Sequence, residues 1–379
     1  MITKYTNKAN LIFGFKSADL IGRETAKYGN KVLIVTGKSS TKKSGLLDRV
    51  IEQLKEEKID YVLFDKVEKN PVISIVMEGS KAAQKEKCDV VLALGGGSIM
   101  DASKGIAFFS KNDGDFEEHQ LGKVEEKPSL PLILVPTTCG TGSEVNSIAV
   151  FTKDETQDKR GMRKNGFMAK ASIVDPELMM SMPKQVLASV GFDALCHLLE
   201  AYVSTRANHM SDIFAEKGIT LIKDNLVKVY EDYNDREAWE AVALASTLGG
   251  YTLETAGVCA PHAFEHPLSG YKNVTHGEGL AAVMPAIVRA SINGNPQKFA
   301  KLSKLLGGTD ETDCAETIEK LLREINLNIS LTDLGFVEED IEWLATNIFK
   351  VSYGNIKVNP VVFAKEEMEQ IYRESLKRR

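Results

Sequence analysis

The chain has 379 residues, enough for two ordinary domains. A hydrophobic content of 43%, a charged content of 26% and a formal net charge of -6 describe an ordinary globular protein and argue against nucleic acid or an anionic membrane as its partner. The opening Met1–Asn10 lacks the apolar core of a signal peptide, and no apolar run approaches the roughly 20 residues of a membrane span.

The five scattered cysteines (Cys88, Cys139, Cys196, Cys259, Cys314) point to free thiols in a reducing cytoplasm rather than a disulfide frame. The lysine-rich patches Lys42-Lys43 and Lys377-Arg378-Arg379 read as solvated faces.

The first half alternates. Lys31–Val35 is a β-branched run that predicts a strand, followed by Ser, Thr and Lys turn residues and a helical pattern over Leu46–Glu56. A second strand, Tyr61–Phe64, leads through Asn70-Pro71 into a helix over Ile73–Lys87. A third, Asp89–Leu94, runs into three glycines, and a fourth, Pro131–Val135, runs into Pro136-Thr137-Thr138. Continuous apolar runs alternating with helices predict a buried, mostly parallel sheet with helices on both faces. Ser147–Thr152 and Ala171–Val174 read as further strands, and Arg160, Arg163 and Lys164 between them as a surface loop.

Beyond Asp175-Pro176 the strand signals almost vanish. Helical patterns run from Lys184 onward, over 212–230, 238–253, 277–290, 315–325 and 365–376. The predicted organisation is an α/β nucleotide-binding domain over residues 1–182 and an all-helical metal-binding domain over residues 183–379.

Two loops carry ligand-binding chemistry. Gly95-Gly96-Gly97-Ser98 follows a strand and opens a helix, so its backbone amides can approach a phosphate at the positive end of the helix. The spacing is neither the G-x-G-x-x-G dinucleotide fingerprint nor the Walker pattern. Pro136-Thr137-Thr138-Cys139-Gly140-Thr141-Gly142-Ser143-Glu144 sets hydroxyls and glycines at another strand's carboxyl end, where open α/β sheets bind ligands.

Five of the six histidines lie between residues 193 and 276. Asp193 and His197 are four apart and share one helix face, as do His262 and His266, with His276 close behind. His209, in a polar stretch, reads as a surface residue. A carboxylate with two or three imidazoles suits a divalent ion such as zinc or ferrous iron. Spacing alone leaves both His262 and His266 eligible as ligands.

In this order and spacing, the segments Gly95–Asp101, Pro136–Glu144, Asp175-Pro-Glu-Leu178 and Gly191–His197, with His262, His266 and His276, resemble the iron-containing (group III) alcohol dehydrogenases. The resemblance runs from Phe13-Gly14 to Asn359-Pro360. It implies metal ligation by Asp193, His197, His262 and His276, with His266 off the metal beside the nicotinamide and substrate. It also implies a pyrophosphate turn at Gly95, Gly96, Gly97 and Ser98 in a motif ending at Asp101, and cofactor contacts at Thr137, Thr138 and Asn70.

The implied reaction is reversible hydride transfer between a nicotinamide cofactor and a small alcohol or aldehyde, with the metal polarising the substrate oxygen and His266 as a catalytic proton relay. Iron is the expected metal, with zinc the other, and the expected assembly is a cytoplasmic homodimer.

Two departures matter. Members that use NAD often resemble Val-Thr-Asp after the first strand, whereas here Gly37 replaces the acid and Lys38, Ser39 and Ser40 follow. The repulsion of a 2′-phosphate is gone, which favours NADP over NAD. Before His262, the segment Leu253–Cys259 departs from the family pattern at the substrate side, where Glu254 reads by default as the partner of a nearby base. Glycerol dehydrogenase-like polyol oxidation, a dehydroquinate synthase-like lyase of the same superfamily, and a non-catalytic binding module are the competing readings.

Overall fold

The computed structural model describes residues 5–377, so Met1–Lys4 of the opening stretch and Arg378-Arg379 of the basic patch lie outside it. Six strands form one parallel sheet: β1 (Asn10–Phe13), β2 (Lys31–Gly37), β3 (Asp60–Val67), β4 (Val90–Gly95), β5 (Leu132–Pro136) and β8 (Ala171–Val174). Their order is β1-β8-β5-β4-β2-β3.

The continuous apolar runs have a simple cause. Successive strand residues point to opposite faces, and here both faces are covered. Val32, Ile34, Val90 and Leu92 pack with Leu46, Leu47, Val50 and Leu54 of helix α1 (Leu46–Glu56) on one side. Leu33, Val35, Val91 and Ala93 pack with helices α2 (Ile73–Lys85) and α3 (Gly97–Phe109) on the other.

The strands β6 (Ile148–Thr152) and β7 (Lys159–Arg163) stand apart from this sheet as an antiparallel hairpin. This corrects the surface-loop reading of residues 160–164. Lys159 and Met162 are both buried, on opposite faces of the strand, Arg160 is half-buried and Gly161 and Arg163 are exposed; Lys164 is itself buried, its ammonium contacting Glu126 and the His119 carbonyl. With Lys159, Arg160 and Arg163 basic and Gly161 between them, the segment carries no period-2 apolar pattern from which a strand can be read. The sequence also gave no sign of β1, four residues long and at the sheet edge beside β8.

From Lys184 onward the described residues form helices and turns without strands. Helix α4 (Lys184–Val203) is long and apolar enough to cross a membrane, but it is the core helix of this half. It packs against α5 (His209–Glu231), α6 (Arg236–Thr255) and α8 (His276–Ser291), and its Phe192, Leu195 and Leu198 join the largest hydrophobic cluster. Helix α7 (Ala260–Lys272) lies between α8 and the hairpin. All five cysteines are buried and free.

The two halves meet closely where the loop after β5 touches α6. A methyl group on Gly250 would fall 2.1 Å from the Gly142 carbonyl oxygen, and one on Gly142 would fall 2.3 Å from the Gly250 nitrogen. Only glycine at both positions permits this backbone contact.

Candidate metal and nucleotide site

A cleft of about 400 Å³ opens at the carboxyl ends of β3, β4 and β5 and reaches down to α4, α7 and α8. Of the residues expected at the site, Asn70, Gly96, Gly97, Ser98, Asp101 and Thr138 line it from the sheet side. Asp193, His197, His262, His266 and His276 line it from the helical side. Gly37, Ser39, Gly95 and Thr137 do not line it; the Thr137 amide donates instead to the Gly95 carbonyl, at 3.1 Å.

The glycine loop turns directly into α3. No side chain caps that helix, so its first-turn amides at Gly97 and Ser98 are left for a ligand, at the end of the helix dipole that attracts anions. The threonine loop presses onto it: a methyl on Gly97 would sit 2.4 Å from Thr141 Cγ2.

Asp101 lines the cleft, but both its oxygens are engaged, one accepting from Ser143 Oγ at 2.7 Å and the other from the Val150 amide at 2.8 Å. Its role here is to tie α3 to the threonine loop and hairpin. Fully buried Lys104 completes that tie, donating to Ser143 Oγ (2.7 Å), Asn146 Oδ1 (3.1 Å) and the Ile148 carbonyl (2.6 Å). Burial pushes its ammonium down to about 8, against the pull of Asp101 and Glu144.

In the helical half, Asp193 and His197 lie one turn apart on α4, His262 near the start of α7, and His276 at the first position of α8. Asp193 Oδ1 is 3.6 Å from His197 Nδ1, 3.6 Å from His262 Nε2 and 3.7 Å from His276 Nε2. Suitable donor atoms of Asp193, His262 and His276 fall within 4.8 Å of one another.

Three of these atoms, Asp193 Oδ1, His197 Nδ1 and His262 Nε2, are buried without a hydrogen-bond partner. Buried polar atoms are almost always paired, so three orphans around one point fit a cation. The electrostatics agree. Burial opposes charge on His262, yet Glu200 and Asp193 outweigh it and raise the imidazole to about 10. Burial likewise opposes ionisation of Asp193, yet the histidines hold it well below the usual carboxylate range. Ionised Asp193 thus puts a negative charge where the four side chains converge, while burial holds the His197 imidazole down at about 4.

Two acids that sequence reasoning missed stand behind these histidines. Fully buried Glu200 contacts His262 Nδ1 through Oε1 and accepts the Cys259 amide on Oε2 at 2.8 Å. Fully buried Glu265 contacts His276 Nδ1 through Oε2 and the Ser269 hydroxyl through Oε1. An imidazole that donates its Nδ1–H to a carboxylate keeps its Nε2 lone pair free for a metal. The visible signal was an acid three residues from a histidine inside an otherwise apolar helix.

Lys159, also missed, enters from β7 and joins both halves. Its ammonium lies 3.0 Å from Asn70 Oδ1, 3.4 Å from His276 Nδ1 and 3.6 Å from Glu265 Oε2. Asn70 in turn donates to Asn273 Oδ1 at 2.9 Å. His266, off the cluster, is buried, with Ser352 Oγ 3.5 Å from its Nδ1. Burial first and the Lys159 charge second hold its imidazole well below the ordinary range. His209 is exposed at the start of α5.

At the far side, Leu253 lines the cleft, whereas Glu254 turns away to Arg163 (2.8 Å) and to the amide and hydroxyl of Ser147. The pairing expected for Glu254 is present. At the sheet end, Lys38 contacts Glu68, which lines the cleft.

Comparison with known proteins agrees over the whole length. Residues 8–176 match the family described as iron-containing alcohol dehydrogenase, and residues 187–376 match the C-terminal region of the Fe-containing alcohol dehydrogenase family. The chain is 34% identical over 373 residues to a 1,3-propanediol dehydrogenase of Citrobacter freundii, covering 96% of each chain. It is 38% identical over 290 residues to a choline dehydrogenase of Bacillus subtilis, covering 76% of this chain and 72% of that one. The solved structure of NADH-dependent butanol dehydrogenase A from Thermotoga maritima superposes with a TM-score of 0.92 at 30% identity, covering 99% of each chain.

Proposed function

The chain belongs to the iron-containing alcohol dehydrogenases, whose reaction is nicotinamide-linked alcohol oxidoreduction, and from that premise we propose which residues carry the reaction here. Asp193, His197, His262 and His276 hold a divalent metal, ferrous iron first and zinc second. The observation that carries this is the convergence of unpartnered Asp193 Oδ1, His197 Nδ1 and His262 Nε2 on one buried point. A divalent ion held there supplies Lewis acidity toward the substrate oxygen.

The remaining roles follow from position. The capless amino end of α3, at Gly97 and Ser98, receives the cofactor pyrophosphate, and Thr138, packed directly against Gly96, lies beside it. Asn70, held by Lys159 and Asn273, orients the nicotinamide half. His266, neutral and buried at the cleft wall, hands a proton between the substrate oxygen and Ser352. The α/β domain ends at residue 182 and the helical domain begins at 183, with the reaction between them.

Substrates are short uncharged alcohols and their aldehydes. Leu253, Ile148 and Val150 give the cleft an apolar wall, and Glu254, beside Leu253 but turned away from the cleft, is already committed to Arg163 and Ser147. Gly37 leaves no acid at the end of β2 to repel a 2′-phosphate, and this favours NADP. Because Lys38 already contacts Glu68, the preference is modest, within roughly tenfold. The protein works as a cytoplasmic homodimer.

The test is an aldehyde panel with NADH and NADPH, on protein reconstituted separately with ferrous iron and zinc, followed by the near-ultraviolet absorbance of the reduced cofactor. Turnover requiring added metal supports the reading. A metal-loaded protein that turns over no aldehyde with either cofactor defeats it, and a strong NADH preference defeats the cofactor assignment alone.

A further inference from the structure

Glu265 is an unusual residue to find where it is. It is fully buried on α7, one helical turn beyond His262, and of its partners only His276 is partly exposed. Its oxygens meet His276 Nδ1, the Ser269 hydroxyl and, at 3.6 Å, the Lys159 ammonium. The facing helix makes room for it with Gly279, where a methyl would lie 3.1 Å from Glu265 Oε1.

The charges in this buried volume can be counted. Asp193, Glu200 and Glu265 contribute three negative charges, and Lys159 contributes one positive. With the histidines neutral, as metal ligation requires, the protein supplies a net charge of about -2. A divalent cation brings the buried cluster to neutrality, and a buried charge is tolerated only when it is balanced.

We propose that Glu265 and Lys159 together tune the site to a divalent ion. Glu265 supplies the charge that completes the balance and holds His276 from its Nδ1 side, while Lys159 trims the excess and links the site to Asn70. Glu265 is therefore a positioning residue on which metal retention depends, although it is not a ligand. The inference rests on the ligand set proposed above.

The test uses full-length protein stripped of metal and titrated with cobalt(II) and with zinc, by calorimetry and by competition with a chelating dye. Wild type is compared with Glu265→Gln, Lys159→Met and the double variant. Glu265→Gln, left with one negative charge too few, should bind roughly 10–100-fold more weakly. Lys159→Met should bind no more weakly than wild type. The double variant, restored to a net charge of about -2, should regain at least half of the loss on a logarithmic scale.

A merely structural glutamate predicts the opposite for the double variant, which would then bind worse than either single one. Equal affinity of wild type and Glu265→Gln overturns the proposal while leaving the ligand set standing. Should Glu265→Gln not fold, weaker binding by Lys159→Met alone overturns it. Failure of wild type itself to bind either metal removes the ligand set and this inference together.

Discussion

Asp193 Oδ1 and His262 Nε2 face each other at 3.6 Å, both buried and neither hydrogen-bonded. Such a pair is costly unless a cation lies between them. Asp193→Asn should therefore lose bound metal and lower kcat/KM by about a thousandfold, equivalent to roughly 4 kcal/mol of transition-state stabilisation. Far-ultraviolet circular dichroism should be unchanged, because α4 is held by Phe192, Leu195 and Leu198 rather than by the carboxylate. Full metal content in this variant, measured by elemental analysis, would remove Asp193 from the ligand set.

His266 offers a contrast, since its imidazole lies on the cleft wall with Ser352 behind it. His266→Ala should keep its metal and lose roughly a hundredfold in kcat, at the low end for a general acid–base group. The solvent isotope effect should change with it. Unchanged kcat and an unchanged pH–rate profile would reduce His266 to a packing residue.

Adjacent residues on α6 should behave differently. Leu253→Ala widens the cleft wall and should shift the ranking of alcohols toward longer chains by up to about tenfold, near the discrimination a pocket gains per methylene. Glu254→Gln weakens a partly exposed pair with Arg163 and should cost about 1 kcal/mol of stability or less, leaving that ranking alone. Comparing kcat/KM across a chain-length series checks both, and a reranking by Glu254→Gln would place its carboxylate at the substrate.

Lys104 makes a prediction about pH. Burial lowers its folded-state value to about 8 from an ordinary 10.5, so between these the unfolded chain binds the proton more strongly. Its contribution to stability is greatest above 10.5 and is lost as pH falls to about 8. Lys104→Met strands the acceptors on Asn146 and Ile148 and should cost about 3 kcal/mol. Denaturant unfolding should show the gap between wild type and variant widening as pH rises from about 8 to about 10. A constant gap would contradict the assignment.

Much of this molecule is legible from sequence because its burial is two-sided. β2, β4 and β5 are covered on both faces, so each appears as an unbroken apolar run with a loop signal at its end. The metal-side residues are legible because Asp193/His197 and His262/His266 keep helical spacing. What stayed hidden was polar chemistry under cover. Lys104, Glu144, Glu200 and Glu265 are fully or almost fully buried and Lys159 nearly so, but residues of these types are usually solvated. β7 was hidden for the same reason, with Lys159, Arg160 and Arg163 masking a strand. Choosing His262 over His266 as the ligand needed the family resemblance, because a four-residue spacing serves either one.

The contact between Gly142 and Gly250 works as a ruler between the two reactants. One end of it belongs to the threonine loop proposed to meet the cofactor, the other to the helix that runs past His197, and backbone touches backbone with no side chain to give way. On the site proposed above, the spacing between cofactor and metal would then be set by the main chain rather than by any catalytic group. A single methyl at residue 250 should leave metal and cofactor bound yet lengthen that spacing by a fraction of an ångström to about 1 Å, where a loss of up to about a hundredfold in kcat is expected. Gly250→Ala with normal ligand affinities and normal kcat would show that the ruler has slack.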